Sequence, residues 1–134
     1  VIYVSAGLLI SDGKLLICRR LSSDPHPLKW EFPGGKAEAG ETPGQALIRE
    51  LFEELTIHVT DYKPILSYSY QYPGAKDIIL HFFQILSYTG KLKNNHSFHD
   101  ILWVEPKDLN NYDFLEGDRP FISRLAGLSH ILHP

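Results

Sequence analysis

Methionine is absent from this chain of 134 residues, and cysteine occurs once. Without a starting methionine the sequence is expected to begin after its natural first residue, which leaves a short leader open. A lone Cys18 can close no internal disulfide, so nothing calls for an oxidising compartment and a cytoplasmic location is expected. Long apolar runs are missing too. The opening VIYVSAGLLI has no basic leader, and no stretch approaches the ~20 apolar residues of a membrane helix, so no membrane partner is expected. Nor is there an excess of positive charge. A formal charge of −3 and a pI near 6.1 remove the broad basic footprint of a protein that binds duplex nucleic acid, but they leave room for a small phosphorylated ligand.

What is present fits a folded domain. Hydrophobic residues make up 43%, charged residues 22% and aromatics 12% of the chain, a balance that argues for globular structure and against disorder. The length suits a single domain over residues 1–134, able to bury roughly two-thirds of its unfolded surface without disulfides. Monomer and homodimer are both left open.

Val1 to Ile10 and Lys14 to Arg19 are strand-like runs joined through Ser11-Asp12-Gly13, whose Asp-Gly pair suits a tight turn. Leu21 to Leu28 carries Pro25 and Pro27 and reads as a loop. Leu66, Tyr68, Tyr70 and Tyr72 alternate with polar residues, and Pro73-Gly74 separates them from the apolar run Ile78 to Leu86, which predicts two more strands. Ile101 to Val104 is a further short strand. Pro106 to Leu109 is expected to form one helical turn, and Pro120 to Leu128 a closing helix. Strands and helices therefore mix in an α/β or α+β domain, with a layered helix and sheet core expected.

The chemistry concentrates in GKAEAGETPGQALIRELFEELTI, Gly35 to Ile57. Thr42 and Gln45 have the spacing of a capping box before a helix that starts at Pro43. Rotation by about 100° per residue then gathers Glu50, Glu53 and Glu54 on one face and Ile48, Leu51, Phe52 and Leu55 on the other. The second face is the expected buried stripe, and the acids are expected to point away from that core. Acids at this spacing repel by roughly 0.2–0.5 kcal/mol per pair. A solvated acidic face beside Arg49 is the simplest reading. The upstream Trp30-Glu31-Phe32-Pro33-Gly34-Gly35-Lys36 adds a glycine loop that lets backbone approach a ligand and a lysine suited to phosphate, while carboxylate oxygens suit Mg²⁺ or Mn²⁺.

Gly35, Glu41, Arg49, Glu50, Leu51, Glu53, Glu54 and Ile57 stand at the spacing G-x5-E-x7-R-E-U-x-E-E-x-G-U, where U is apolar, and so resemble the Nudix box. Thr56 alone departs, replacing the last glycine. The segment Trp30 to Gln45, Arg19-Arg20 and Trp103-Val104 extend the resemblance to the MutT-like nucleoside triphosphate pyrophosphohydrolases. That resemblance implies a Nudix fold, a mixed β-sheet sandwiched between α-helices. It also implies Mg²⁺ (or Mn²⁺) held by Glu50, Glu53, Glu54 and the Gly34 carbonyl, with Arg49 orienting the acidic helix and Glu41 structural. Water activated by the metal and by Glu53 or Glu50 would attack a nucleotide phosphorus, with Lys36 meeting the departing charge, to give a nucleoside monophosphate and pyrophosphate.

On the substrate side the resemblance places Arg20, Phe32, Lys36 and Asp118. Arg20 reads equally as a phosphate contact or a surface cation. Asp118 reads equally as a helix N-cap or as an acceptor for a base with an amino or imino donor, in the 8-oxo-dGTP, dGTP or CTP class. Two departures from the pattern stand out. Thr56 must leave the helix without glycine's freedom, at about 1 kcal/mol. Ser97 occupies the place of an extra loop glutamate, with His96, His99 and Asp100 as the nearby substitutes. The tyrosines read as one packed strand face rather than a stacking platform. His26, His58, His81, His130 and His133 show no ligand spacing and receive no role. Other Nudix substrates (ADP-ribose, nucleotide sugars, dinucleoside polyphosphates, RNA 5′ ends) and a low-turnover nucleotide-binding domain are the alternatives.

Overall fold

The computed structural model describes residues 1–132; His133 lies outside them. Eight strands form in chain order: β1 (Ile2–Leu8), β2 (Ile10–Ser11), β3 (Lys14–Arg19), β4 (Trp30–Glu31), β5 (Gly34–Lys36), β6 (His58–Gln71), β7 (Asp77–Thr89) and β8 (Asp100–Val104). Helix α1 (Pro43–Leu55) lies between β5 and β6, and the chain closes with α2 (Arg119–Arg124) and α3 (Ser129–Leu132). Short 3₁₀ helices span Pro106–Asn111, Glu116–Asp118 and Leu125–Leu128.

The strands build two sheets. The first runs β5-β1-β7-β6 and is mixed, because β1 pairs parallel with β7 while β5 and β6 pair antiparallel with their neighbours. The second is antiparallel around β3, which pairs with β2, β4 and β8. Alternation along β1 and β7 sends side chains to two cores. Ala6, Leu8, Leu80 and Phe82 join Phe32, Phe114 and Phe121 beneath the C-terminal helices. Leu9, Phe83 and Ile85 meet Leu47, Leu51 and Leu55 of α1. The central sheet is thus covered by helices on both faces, the layered sandwich expected. Among the described residues no helix is long and apolar enough to cross a membrane.

Local rules account for several elements. The β2–β3 hairpin turns at Asp12 and Gly13, both at positive φ (51° and 74°), as a two-residue turn with right-handed strand twist requires. Thr42 accepts from the Gln45 amide and the Gln45 side chain accepts from the Thr42 amide, so the capping box forms at α1.

Four expectations are corrected. Phe52 leaves the buried stripe and is 56% exposed, its place taken by Leu47; the sheet covers a narrower arc than the period allows, and Phe52 falls at its edge. The acids do not all face away: Glu50 and Glu54 are drawn against β5, as described below. The tyrosine strand begins at His58 rather than Leu66, since pairing with β7 recruits polar residues and tolerates Pro64 on the sheet edge near a register shift. The closing helix is broken after Arg124, where the Ser123 hydroxyl bonds back to the Arg119 and Pro120 carbonyls and Gly127 adds its own helix penalty.

Candidate active site

A cleft of about 380 Å³ opens where β1, β4 and β5 meet the loops after β3, β6 and the 3₁₀ turn Glu116–Asp118. Arg20, Phe32, Gly34, Lys36, Glu54 and Asp118 all line it, together with Ser97. Arg49, Glu50 and Glu53 stand just outside this lining, on the same helix face as Glu54.

The α1 face is organised by Arg49. Its guanidinium donates to both Glu41 oxygens at 2.7 and 2.9 Å, to Glu50 Oε1 at 2.9 Å and to the Lys36 carbonyl at 3.0 Å. Glu53 is held more loosely, at 3.3 Å, and is 55% exposed. Glu50 reaches β5 so closely that a Cβ on Gly35 would lie 2.5 Å from its carboxyl carbon; only glycine leaves that space. Burial pushes the Glu50 carboxyl above its usual range, against the pull of Arg49.

Glu54 is the most deeply set of the three. Its Oε1 accepts from the Gly34 amide at 3.0 Å, and it pairs with no cation among the described residues. Burial first, then the charges of Glu31 and Glu50, push its carboxyl well above the usual range. An uncompensated carboxyl on the wall of a cleft, with two more carboxylates on the same helix face, is a hard-oxygen donor set that suits Mg²⁺ or Mn²⁺. The carboxylates are not converged on one point, and no group of three His, Cys, Asp or Glu side chains among the described residues forms a closed metal cage. The hydrogen bonds from Arg49 explain why, since they draw Glu50 and Glu53 towards the guanidinium.

The C-terminal end of α1 shows how Thr56 is accommodated. It adopts the left-handed conformation (φ 61°) that glycine favours, and its amide bonds back to the Phe52 carbonyl. The loop after β7 then meets the remaining carbonyls: Asn95 donates from its side chain to Glu53 and from its amide to Glu54, and the Lys93 amide reaches Leu55, each at 3.0 Å. The carbonyls of Glu53, Glu54 and Leu55, which the helix end leaves free, are thereby satisfied. The same loop is braced by Asn94, whose carboxamide accepts from the Ser97 and Phe98 amides. Ser97 therefore reaches the cleft, whereas His96, His99 and Asp100 are not part of its lining.

At the substrate end, Arg20 is already engaged. It donates to the Pro25 carbonyl at 2.8 Å and pairs with Glu31 at 3.1 Å, so it braces the loop from Leu21 to Lys29 rather than standing free for phosphate. Lys36 has no ion-pair partner among the described residues and is an available cation at the rim, as is Lys76. Asp118 is 5% exposed. It does not cap α2 with its side chain; burial, reinforced by the Glu31 charge and only partly offset by the nearby Phe32 amide, pushes its pKa up to about 8. Glu31 received no role from the sequence. Burial raises its pKa to about 7 despite Arg20, and the signal that could have found it is an isolated acid between Trp30 and Phe32, both core aromatics. His26, also given no role, lies at the cleft mouth against the Tyr72 ring at 4.7 Å.

The family model described as NUDIX domain matches residues 2–125. The chain is 32% identical over 127 residues to a CTP pyrophosphohydrolase of Escherichia coli, covering 95% of this chain and 93% of that protein. It is also 32% identical over 131 residues to an 8-oxo-dGTP diphosphatase of Haemophilus influenzae, covering 97% and 95%. The solution structure of the E. coli ORF135 protein superposes with a TM-score of 0.82 at 32% identity, covering 95% of this chain and 89% of that one.

Proposed function

Since the chain belongs to the Nudix family and is a MutT-like nucleoside triphosphate pyrophosphohydrolase, we propose that it cleaves triphosphates whose base carries an amino group. Among these are the cytosine and guanine nucleotides, 8-oxoguanine included. Mg²⁺ is the proposed metal, with Mn²⁺ able to replace it, and the cytoplasm the proposed setting.

The observation that carries this reading is Asp118, buried in the cleft that also holds Glu54 and Lys36. Its carboxyl oxygens accept hydrogen bonds, and cytosine and guanine offer an exocyclic amine. Uracil presents a carbonyl where cytosine has that amine. An amine donor draws the Asp118 carboxyl to its ionised, acceptor-only form, whereas a carbonyl leaves two acceptors against each other unless the carboxyl keeps its proton in the desolvated site. The Phe32 side chain also lines the cleft and forms part of its apolar floor.

A divalent cation, when bound, neutralises phosphate charge and acidifies water beside it. Glu50, Glu54 and the Gly34 loop are the groups that would hold it, with Glu53 completing the set. Glu53, the most exposed of the three acids and more loosely held by Arg49 than Glu50, takes the proton of the attacking water, with Glu50 the second candidate. The water oxygen bonds to phosphorus as the anhydride bond breaks, leaving nucleoside monophosphate and pyrophosphate. Lys36 meets the charge on the departing phosphates. Arg49 fixes the carboxylates and does not touch substrate.

Incubation with Mg²⁺ and a panel of CTP, UTP, dGTP, 8-oxo-dGTP, ADP-ribose and a dinucleoside polyphosphate tests this, with products resolved by chromatography. Monophosphate and pyrophosphate from the amino-bearing triphosphates, with UTP poorer, is the expected result. A ranking left unchanged by Asp118→Ala would remove Asp118 from base selection, and cleavage of ADP-ribose or the dinucleotide alone would replace the substrate class.

A further inference from the structure

Tyr68 and Tyr72 belong to the alternating run that reads from sequence as a packed strand face. Tyr68 does stack on Phe82 at 5.6 Å in the core, but its hydroxyl and that of Tyr72 both leave the core and converge on one residue. Tyr68 Oη donates to the Gly117 carbonyl at 2.6 Å, and Tyr72 Oη accepts from the Gly117 amide at 2.9 Å. Tyr68 Oη also accepts from the Phe121 amide at 3.2 Å, joining the 3₁₀ turn to α2. Gly117 is buried, and a Cβ there would stand 2.9 Å from the Tyr72 hydroxyl. Both polar groups of its backbone are thus spoken for by side chains from the end of β6.

The residue that follows is Asp118. It sits in a 3₁₀ turn of three residues, held internally only by its amide's hydrogen bond to the Leu115 carbonyl at 3.0 Å, and no cap hydrogen bond from its own side chain restrains it. The two phenols supply the missing restraint. Tyr68 is outside the cleft lining whereas Tyr72 is part of it, so Tyr68 can reach a base only through Gly117.

We infer that Tyr68 and Tyr72 are positioning residues for base selection, clamping Gly117 so that the Asp118 carboxyl meets the base edge at a fixed place. This rests on the proposed role of Asp118, and the test separates the two. The quantity read is the ratio of kcat/KM for CTP to that for UTP, in wild type, Tyr68→Phe, Tyr72→Phe, Asp118→Ala and Tyr68→Phe/Asp118→Ala. Losing one hydrogen bond to the clamp lowers the ratio by about 3- to 10-fold in each single tyrosine variant. In the Asp118→Ala background the tyrosine change leaves the ratio where Asp118→Ala put it, because coupled residues do not add.

A phenol with a structural role alone would lower the melting temperature and scale both substrates alike in either background. That result, or an equal ratio shift with and without Asp118, overturns the clamp while leaving the Asp118 reading intact. If Asp118→Ala itself does not move the ratio, the base-selection reading fails and the clamp fails with it. Should Tyr68→Phe not fold, the Tyr72→Phe pair with and without Asp118→Ala decides the matter, since Tyr72 donates nothing to Gly117 and its loss leaves only one amide unpartnered.

Discussion

Arg49 holds Glu41 across eight residues of sequence with two side-chain hydrogen bonds, Nε to Oε2 at 2.7 Å and Nη2 to Oε1 at 2.9 Å. The remaining nitrogen is thereby turned towards Glu50 and Glu53, so Glu41 acts on the carboxylates without touching them. Glu41→Gln keeps the shape but removes the charge from this grip. The expected outcome is a rise of about 10-fold in the Mg²⁺ concentration needed for half-maximal turnover, the usual consequence of disturbing a group behind the ligands. Arg49 holds the Glu41 carboxyl down to about 2. A depressed acid stabilises the fold fully above its unfolded value near 4.5 and loses that contribution as pH falls towards 2. Acid titration by circular dichroism should therefore show a smaller drop between about pH 5 and 2 in Glu41→Gln than in wild type.

Glu53 and Glu54, neighbours on α1, separate cleanly by substitution. Glu53→Gln is expected to lower kcat by about 10²–10⁴-fold, the range for loss of a general base, with an unchanged melting temperature, because the side chain is exposed. Glu54→Gln removes a buried carboxyl whose ionisation burial and the Glu31 and Glu50 charges oppose. Without metal it should melt higher than wild type, and the rise in melting temperature that Mg²⁺ gives wild type should shrink, since binding to the folded state is what produces that rise. Differential scanning calorimetry with and without Mg²⁺ reads both. A Glu54→Gln protein that gains as much from Mg²⁺ as wild type would take Glu54 out of the metal site.

How much of this is legible in the sequence depends on the range of the interaction. The capping box at Thr42 and Gln45, the Asp12-Gly13 turn and the grouping of the three acids are set by residues within a few positions of one another, and the sequence shows them. Phe52 fails because periodicity gives a direction around the helix but not the width of the surface that covers it. Glu31 is invisible because its meaning comes from Arg20 and Asp118, which reach it only once β3, β4 and the turn before α2 are assembled. The Tyr68 and Tyr72 rings are recognisable as part of an alternating pattern, but nothing local reveals that their hydroxyls share Gly117. The loop through Asn94 and Asn95 is the same kind of case: as sequence it is a polar stretch without the expected glutamate, and in the fold it closes the helix that carries the acids.

Thr56 gives a test of that closure. Its left-handed backbone costs roughly 1–2 kcal/mol for a residue with a Cβ, and its hydroxyl recovers part of this by donating to the Lys91 carbonyl at 2.7 Å. Thr56→Gly relieves the first and loses the second, so chemical denaturation should show a change within about 0.5 kcal/mol, the two terms being of similar size. Thr56→Val keeps the strain and loses the bond, and should be less stable than wild type by about 1 kcal/mol. Asn95→Ala should cost a similar amount and also lower kcat, because the freed Glu53 carbonyl no longer fixes the last turn of α1. Equal stability of Thr56→Val and wild type would show that the Lys91 contact contributes nothing.

Asp118 makes stability fall with pH, opposite in sign to Glu41. Its folded pKa is pushed up to about 8 from an ordinary value of 3.8, so between those values the folded chain keeps a proton that the unfolded chain has released. The folded state binds more protons, and stability must decline as pH rises through this window. Glu31, raised to about 7, adds a decline of the same sign that ends earlier. In Asp118→Asn the new carboxamide keeps the shape of the carboxyl but cannot ionise. Melting temperatures at about pH 5 and about pH 8.5 should therefore show the variant gaining on wild type as pH rises, with the remaining slope of the variant assigned to Glu31 and the other raised acids, Glu50 and Glu54. A wild-type curve parallel to that of Asp118→Asn would mean that the carboxyl ionises at an ordinary pH, and that the cleft is open enough to water for a base to be selected by shape alone.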